Sequence, residues 1–134
     1  MGGILASEET RVHGGADMVR GMAPRAVPGR FVFRTIDGPG LPADARGAFL
    51  EDEGWSVILP AGPGDPPDLV MAQITLGVHS ALDGVGLTAA VSGALAQRGI
   101  PCNMVAAHHH DHVFVPEARL EEALAALDAL AARS

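Results

Sequence analysis

From Ala72 onward the chain alternates apolar and polar residues: Ile74, Leu76 and Val78 fall on one side, and Gln73, Thr75, Gly77 and His79 on the other. This period of two predicts a half-buried β-strand. The period then changes. Leu87, Ala90, Val91, Ala94 and Leu95 recur at i, i+3, i+4, i+7 and i+8, the stripe of a helix lying on a sheet, and Gly99 is placed to end that helix in the left-handed conformation. Ile100 to Ala107 reads as a second strand, with Pro101 tolerable near its start, and Val113-Phe114-Val115 as its hairpin partner. A last helix begins at Pro116 or Glu117, carries acids in its first turns and Arg133 at its end, and aligns Leu120, Ala123, Leu124, Leu127 and Leu130 on one face.

The order β-α-β-β-α supplies five elements of a ferredoxin-like βαββαβ unit, an α+β fold with its helices on one face of an antiparallel sheet. The sixth, a fourth strand, must come from elsewhere in the chain or from a partner. Upstream, Arg30 to Ile36 is a β-branched and aromatic run closed by Asp37-Gly38-Pro39-Gly40, and Trp55 to Leu59 is a second run stopped by Pro60. These two strands are the candidates, and the two parts of the chain are expected to share a sheet or pack closely. Residues 61–67 read as a linker, rich in Pro and Gly. Residues 1–27 lack a sustained apolar period and read as a loose, partly disordered leader with at most a short helix. The expected division is therefore 1–27 leader, 28–67 N-terminal strands and linker, and 68–134 the main unit.

Composition narrows the function. With 134 residues and 48% hydrophobic content the chain can bury a core. A net charge of −7, carried against nine scattered Arg and no Lys, excludes a nucleic-acid binder, which would show a basic stripe. Cys102 is the single cysteine, so there is no disulfide framework and no thiolate zinc cage, and a reducing, cytoplasmic setting fits. The uncharged runs Leu69–Leu82 and Gly84–Gln97 fall short of the roughly 20 residues of a spanning helix. Neither a signal peptide nor a myristoylation motif opens the chain.

Two places carry candidate chemistry. The turn Asp83-Gly84-Val85-Gly86, leading into Leu87, joins a strand end to a helix start, where backbone N–H groups and the helix dipole can hold a carboxylate while Asp83 takes an amino group. A helix cap made by Asp83 or Ser80 accounts for the same residues without a ligand. The second place is the cluster His108, His109, His110, Asp111 and His112. On an extended strand three imidazoles would converge, as zinc, nickel or copper requires, but the cluster sits where the hairpin must turn, so no metal site is expected there. No nucleophile elbow surrounds Ser80, Ser92 or Cys102, and without Lys a P-loop is excluded. Cys102 and Trp55 read as packing residues. No cofactor and no enzymatic activity are expected.

At these residues the chain resembles an ACT domain, the small-molecule-binding regulatory module. The resemblance is carried by Gln73-Ile-Thr-Leu76, by Asp83-Gly-Val-Gly86 with Leu87, by Leu95-Ala-Gln-Arg-Gly99 and by Ile100-Pro-Cys-Asn103. Ile100 to Pro116, with Asp111-His-Val-Phe-Val-Pro116, is similar to ACT-domain proteins related to the CASTOR arginine sensors. Pro28-Gly-Arg-Phe-Val-Phe33 and Trp55-Ser-Val-Ile-Leu-Pro60 look like the first half of small stand-alone bacterial members, so the likeness covers about residues 24 to 132. It implies tandem ACT-like folding, homodimerisation and an amino acid bound between ACT units. By position, Asp83, Gly84, Val85 and Gly86 match the ligand-facing turn and Asn103 the facing strand. The N-terminal piece departs from the pattern, having no glycine turn and first helix of its own. The remaining alternatives are a histidine-cluster metal protein and a structural interaction domain with no small ligand.

Overall fold

The computed structural model describes residues 15–78 and 86–134. Its elements are α1 (Gly15–Arg20), β1 (Pro24–Ala26), β2 (Phe31–Ile36), β3 (Gly47–Glu51), β4 (Gly54–Pro60), β5 (Met71–Leu76), α2 (Leu87–Gln97), β6 (Asn103–Ala106), β7 (Asp111–Pro116) and α3 (Leu120–Arg133). The strands form one antiparallel sheet in the order β3-β4-β2-β5-β7-β6, with β1 also paired to β5.

The ferredoxin-like α+β unit is present, with β5, α2, β6, β7 and α3 in the expected order. Its helix-bearing face is dry: Ala72, Ile74 and Leu76 of β5 and Val113 and Val115 of β7 meet Leu87, Val91 and Leu95 of α2 and Ala123, Ala126 and Leu127 of α3. Helix α2 ends as its glycine predicts. Gly99, at φ +67°, lets its own N–H reach the Ala96 carbonyl (2.9 Å) and the Ile100 N–H reach that of Leu95 (3.0 Å), and buried Ile100 joins the core with Leu95. Arg119 ties the helix ends together by donating to the carbonyls of Arg98 (3.0 Å) and Gly99 (3.3 Å).

Several boundaries differ from the periodicity reading. The fourth strand comes from the N-terminal part, as expected, but the edge of β5 is shared between β2 and a shorter strand that the periodicity does not show. β2 meets β5 only at Phe31 opposite Met71, whereas β1 runs beside it as Pro24 to Leu76, Arg25 to Thr75 and Ala26 to Ile74. Residues 15–27, read as leader, thus contribute a strand, and Met18, Val19 and Met22 enter the helix-side core. Three residues of strand and six of helix are too short to show a period. β3 was not anticipated, because its Ala48-Phe49-Leu50 run follows a Pro- and Gly-rich stretch and stays exposed. β6 starts at Asn103 instead of Ile100, and the last helix opens with a 3₁₀ turn at Glu117–Arg119. Trp55 is half-buried and belongs to neither hydrophobic cluster. Cys102 packs against the main core, and burial pushes its thiol pKa up.

The hairpin β3–β4 and strand β2 continue the sheet, which curls so that its two end strands approach each other. Residues Gly47, Ala48 and Phe49 of β3 and Met104, Val105 and Ala106 of β6 line one groove of about 380 Å³. The curl brings the N-terminal strands over the face of β5 and β7 that carries no helix.

Candidate functional site

Residues opposite each other in an antiparallel pair point to the same face, so register alone assembles the inner side of the curl. Arg25, Thr75, His112 and Val105 form one row across β1, β5, β7 and β6, and Gln73, Phe114 and Asn103 form the next. β2 and β4 cover it. Phe31 and Phe33 set their rings nearly perpendicular to that of Phe114, at centroid distances of 6.2 and 5.2 Å, and Ile58 completes this second cluster. Gln73 and Thr75 are consequently buried, at 3% and 5% exposure, so β5 is closed on both faces and is not the half-buried strand its alternation suggested.

Buried polar groups require partners, and Gln73 and Thr75 find theirs in each other, in half-buried His112 and in exposed Arg46. Arg46, just before β3, extends the β3–β4 ladder by donating its backbone N–H to the Ile58 carbonyl (2.7 Å). Its guanidinium lies over the Phe31 ring (5.4 Å), and its Nε donates to the Gln73 Oε1 (3.3 Å). A guanidinium can only donate, which fixes the amide oxygen toward Arg46 and the amide NH₂ toward Thr75 Oγ1 and His112 Nδ1, both at 3.3 Å. His112 Nδ1 must then accept, also from the Thr75 hydroxyl at 3.0 Å. The ring is therefore neutral with its proton on Nε2. Burial, helped by the nearby charges of His110 and Arg46, lowers the His112 pKa and agrees with that assignment. Asp111 acts against it, and its own carboxyl pKa is raised by burial while His112 and His110 oppose the rise.

Above this network lies a cavity of about 250 Å³ lined by Arg46, Gln73 and His112 together with Ile58, Val105 and Phe114. A larger cleft of about 640 Å³ adjoins it on the other side of Arg46, but none of its lining residues is both polar and buried. The polar chemistry is therefore in the smaller space.

The residues singled out from the sequence are distributed differently. Asp83, Gly84 and Val85 lie outside the described residues. Gly86 precedes α2 at φ +107°, a conformation open to glycine, and has no side chain with which to cap the helix; its carbonyl accepts the Ala90 N–H (2.9 Å). Leu87 is buried in the main core. Asn103 is exposed at the start of β6, opposite Phe114 of β7.

The histidines separate as the hairpin turn requires. The turn closes with the Ala107 N–H on the His110 carbonyl (3.1 Å), the His108 and His109 rings stack edge to face at 4.7 Å, His110 Nδ1 contacts the Val78 carbonyl (3.1 Å), and His112 belongs to the inner network. No group of three His, Cys, Asp or Glu side chains suited to a metal occurs among the described residues. Of Arg46, Gln73, Thr75 and His112, the sequence singles out His112 alone, as part of the histidine cluster. The signal for the set was the pair of polar residues at alternate positions of β5, read there as the solvent side.

The ACT domain family matches residues 70–129. A crystal structure of a Vibrio cholerae protein of unknown function, described as a possible transport protein, is 35% identical, with a TM-score of 0.73 over 95% of this chain and 96% of that one. An Agrobacterium tumefaciens protein is 20% identical, with a TM-score of 0.63 over 81% of this chain and 87% of its own, a likeness of fold. No curated protein matches the chain. Among the described residues no helix is long and apolar enough to cross a membrane.

Proposed function

We propose that this chain, which belongs with its Vibrio cholerae relative and matches the ACT domain family over residues 70–129, is a non-catalytic regulatory module that binds a small amino acid. The turn Asp83-Gly84-Val85 with Gly86 and Leu87 holds the ligand: backbone N–H groups at the start of α2 take the carboxylate and Asp83 takes the ammonium group. The observation that carries this reading is Gly86, left-handed and without a capping side chain at the point where β5 leads into an eleven-residue helix. Asn103, exposed on an end strand of the sheet, would reach the ligand from a second copy, which makes the working unit a homodimer.

Regulation then follows from linkage. A ligand that touches two copies binds their associated form more tightly and shifts the population toward it. The assignment extends to the ACT-domain group related to the CASTOR arginine sensors, with β2–β4 standing where a first ACT unit would be, and to the cytoplasm as its place of action. Thermal unfolding against each of the twenty amino acids at millimolar concentration tests it. One or a few should raise the midpoint, as mass action demands, and Asp83→Asn should reduce that rise; an unchanged midpoint with all twenty would overturn the reading.

A further inference from the structure

We propose that the cavity inside the curled sheet is a second binding site, specific for a small monocarboxylate without an ammonium group, held by Arg46 and His112 with its hydrocarbon end on Ile58, Val105 and Phe114. The polar groups decide the charge of the ligand. Arg46 has donors only; Nε is used on Gln73, and the side chain has no carboxylate partner among the described residues. With Nδ1 accepting from Thr75 and Gln73, His112 keeps its Nε2–H as a further donor. Arg25, in register with Thr75, adds positive potential at the same row. Buried Gln73 and Thr75 spend their hydrogen bonds orienting Arg46 and His112, which preorganises a cluster that lacks only an acceptor.

The lining also decides what the ligand is not. No acid lines the cavity, so an ammonium group would be desolvated without a counter-charge; Asp44, two residues before Arg46, lines the adjoining cleft instead. The space of about 250 Å³ has room for roughly eight water-sized groups at 30 Å³ each. The apolar side chains favour a branched hydrocarbon end over a second charged one. The site is separate from the turn and does not depend on the reading given for it.

The test is an NMR titration of the full chain with 3-methylbutanoate, L-valine, 3-methylbutan-1-ol and inorganic phosphate. The Gln73 side-chain amide and the His112 ring report the cavity, and the Gly86 and Leu87 amides report the turn, so either reading can fail without the other. Saturable shifts of the cavity signals are expected with 3-methylbutanoate, at an affinity about tenfold or more above that of the other three probes. Arg46→Met keeps an apolar stem over Phe31 and should weaken the carboxylate by about tenfold or more. Val105→Phe fills the space without removing a donor and should abolish the response. Still cavity signals with 3-methylbutanoate, equal binding by L-valine or phosphate, or an undiminished response in both folded variants would overturn the proposal.

Discussion

Strand β5 has two faces that are equally hidden and chemically unlike. Ala72, Ile74 and Leu76 pack against α2 and α3, while Gln73 and Thr75, one position away in each case, are as deeply buried beneath β2 and β4. On the helix side the contents are aliphatic and continuous with Met18 and Met22 from the N-terminal segment. On the hairpin side an amide, a hydroxyl, an imidazole and a guanidinium hold one another at 3.0 to 3.3 Å beside a cavity. Burial by itself therefore does not separate a stabilising core from a site. The difference lies in what the buried groups do: aliphatic carbon gains from leaving water, whereas polar groups at best recover what water gave them.

The comparison makes unequal predictions. Ile74→Ala removes a fully buried side chain from the helix face and should cost about 3 kcal/mol in denaturant unfolding. A loss below about 1 kcal/mol would mean that the helix face is not the principal core. Gln73→Leu, on the other face of the same strand, should stay within about 1 kcal/mol of wild type, because leucine can pack toward Phe114 and Thr75 keeps its bond to His112. The same substitution should blunt any anion response, since Arg46 loses the acceptor that orients it. A loss as large as that of Ile74→Ala would show that the polar row is needed for folding.

The smallest effect concerns pH. His112 titrates at a lower pH folded than unfolded, so as pH falls through the ordinary histidine value of 6.5 the unfolded chain takes the proton first and stability declines. His112→Gln should flatten that part of the profile, measured as unfolding midpoints between pH 7.5 and 5.5. Asp111 has the opposite sign: its folded pKa is raised above the ordinary 3.8, so stability is gained as pH falls through the folded value toward 3.8. An unchanged profile between 7.5 and 5.5 in the variant would remove His112 from the buried network.

Legibility along the chain followed the length of each pattern. β5, α2 and α3 are long enough to repeat their period several times, and each shows its correct inward face on the helix side, whereas β7 is legible only as a hairpin partner. β1 is three residues with a proline at its start, and nothing local in Pro24-Arg-Ala26 distinguishes it from a turn. It is a strand because β5 offers it an open edge. The inner site failed to appear for a related reason. Gln73 and Thr75 were visible as a polar row, but their burial depends on Phe31 and Ile58, residues 42 and 15 positions before Gln73 that no local pattern ties to it. Arg46 sat in a Pro- and Gly-rich stretch with no pattern at all.

By itself the sequence determined the α+β order of the main unit, its dry helix face and the left-handed end of α2, because each depends on side-chain periodicity or on a single glycine's backbone freedom. Only the tertiary structure decided which strand completes the sheet, that its far face is closed, and that Arg46, Gln73, Thr75 and His112 meet. Those outcomes depend on strand pairing between distant segments and on the curl of the whole sheet, and neither leaves a period in the chain.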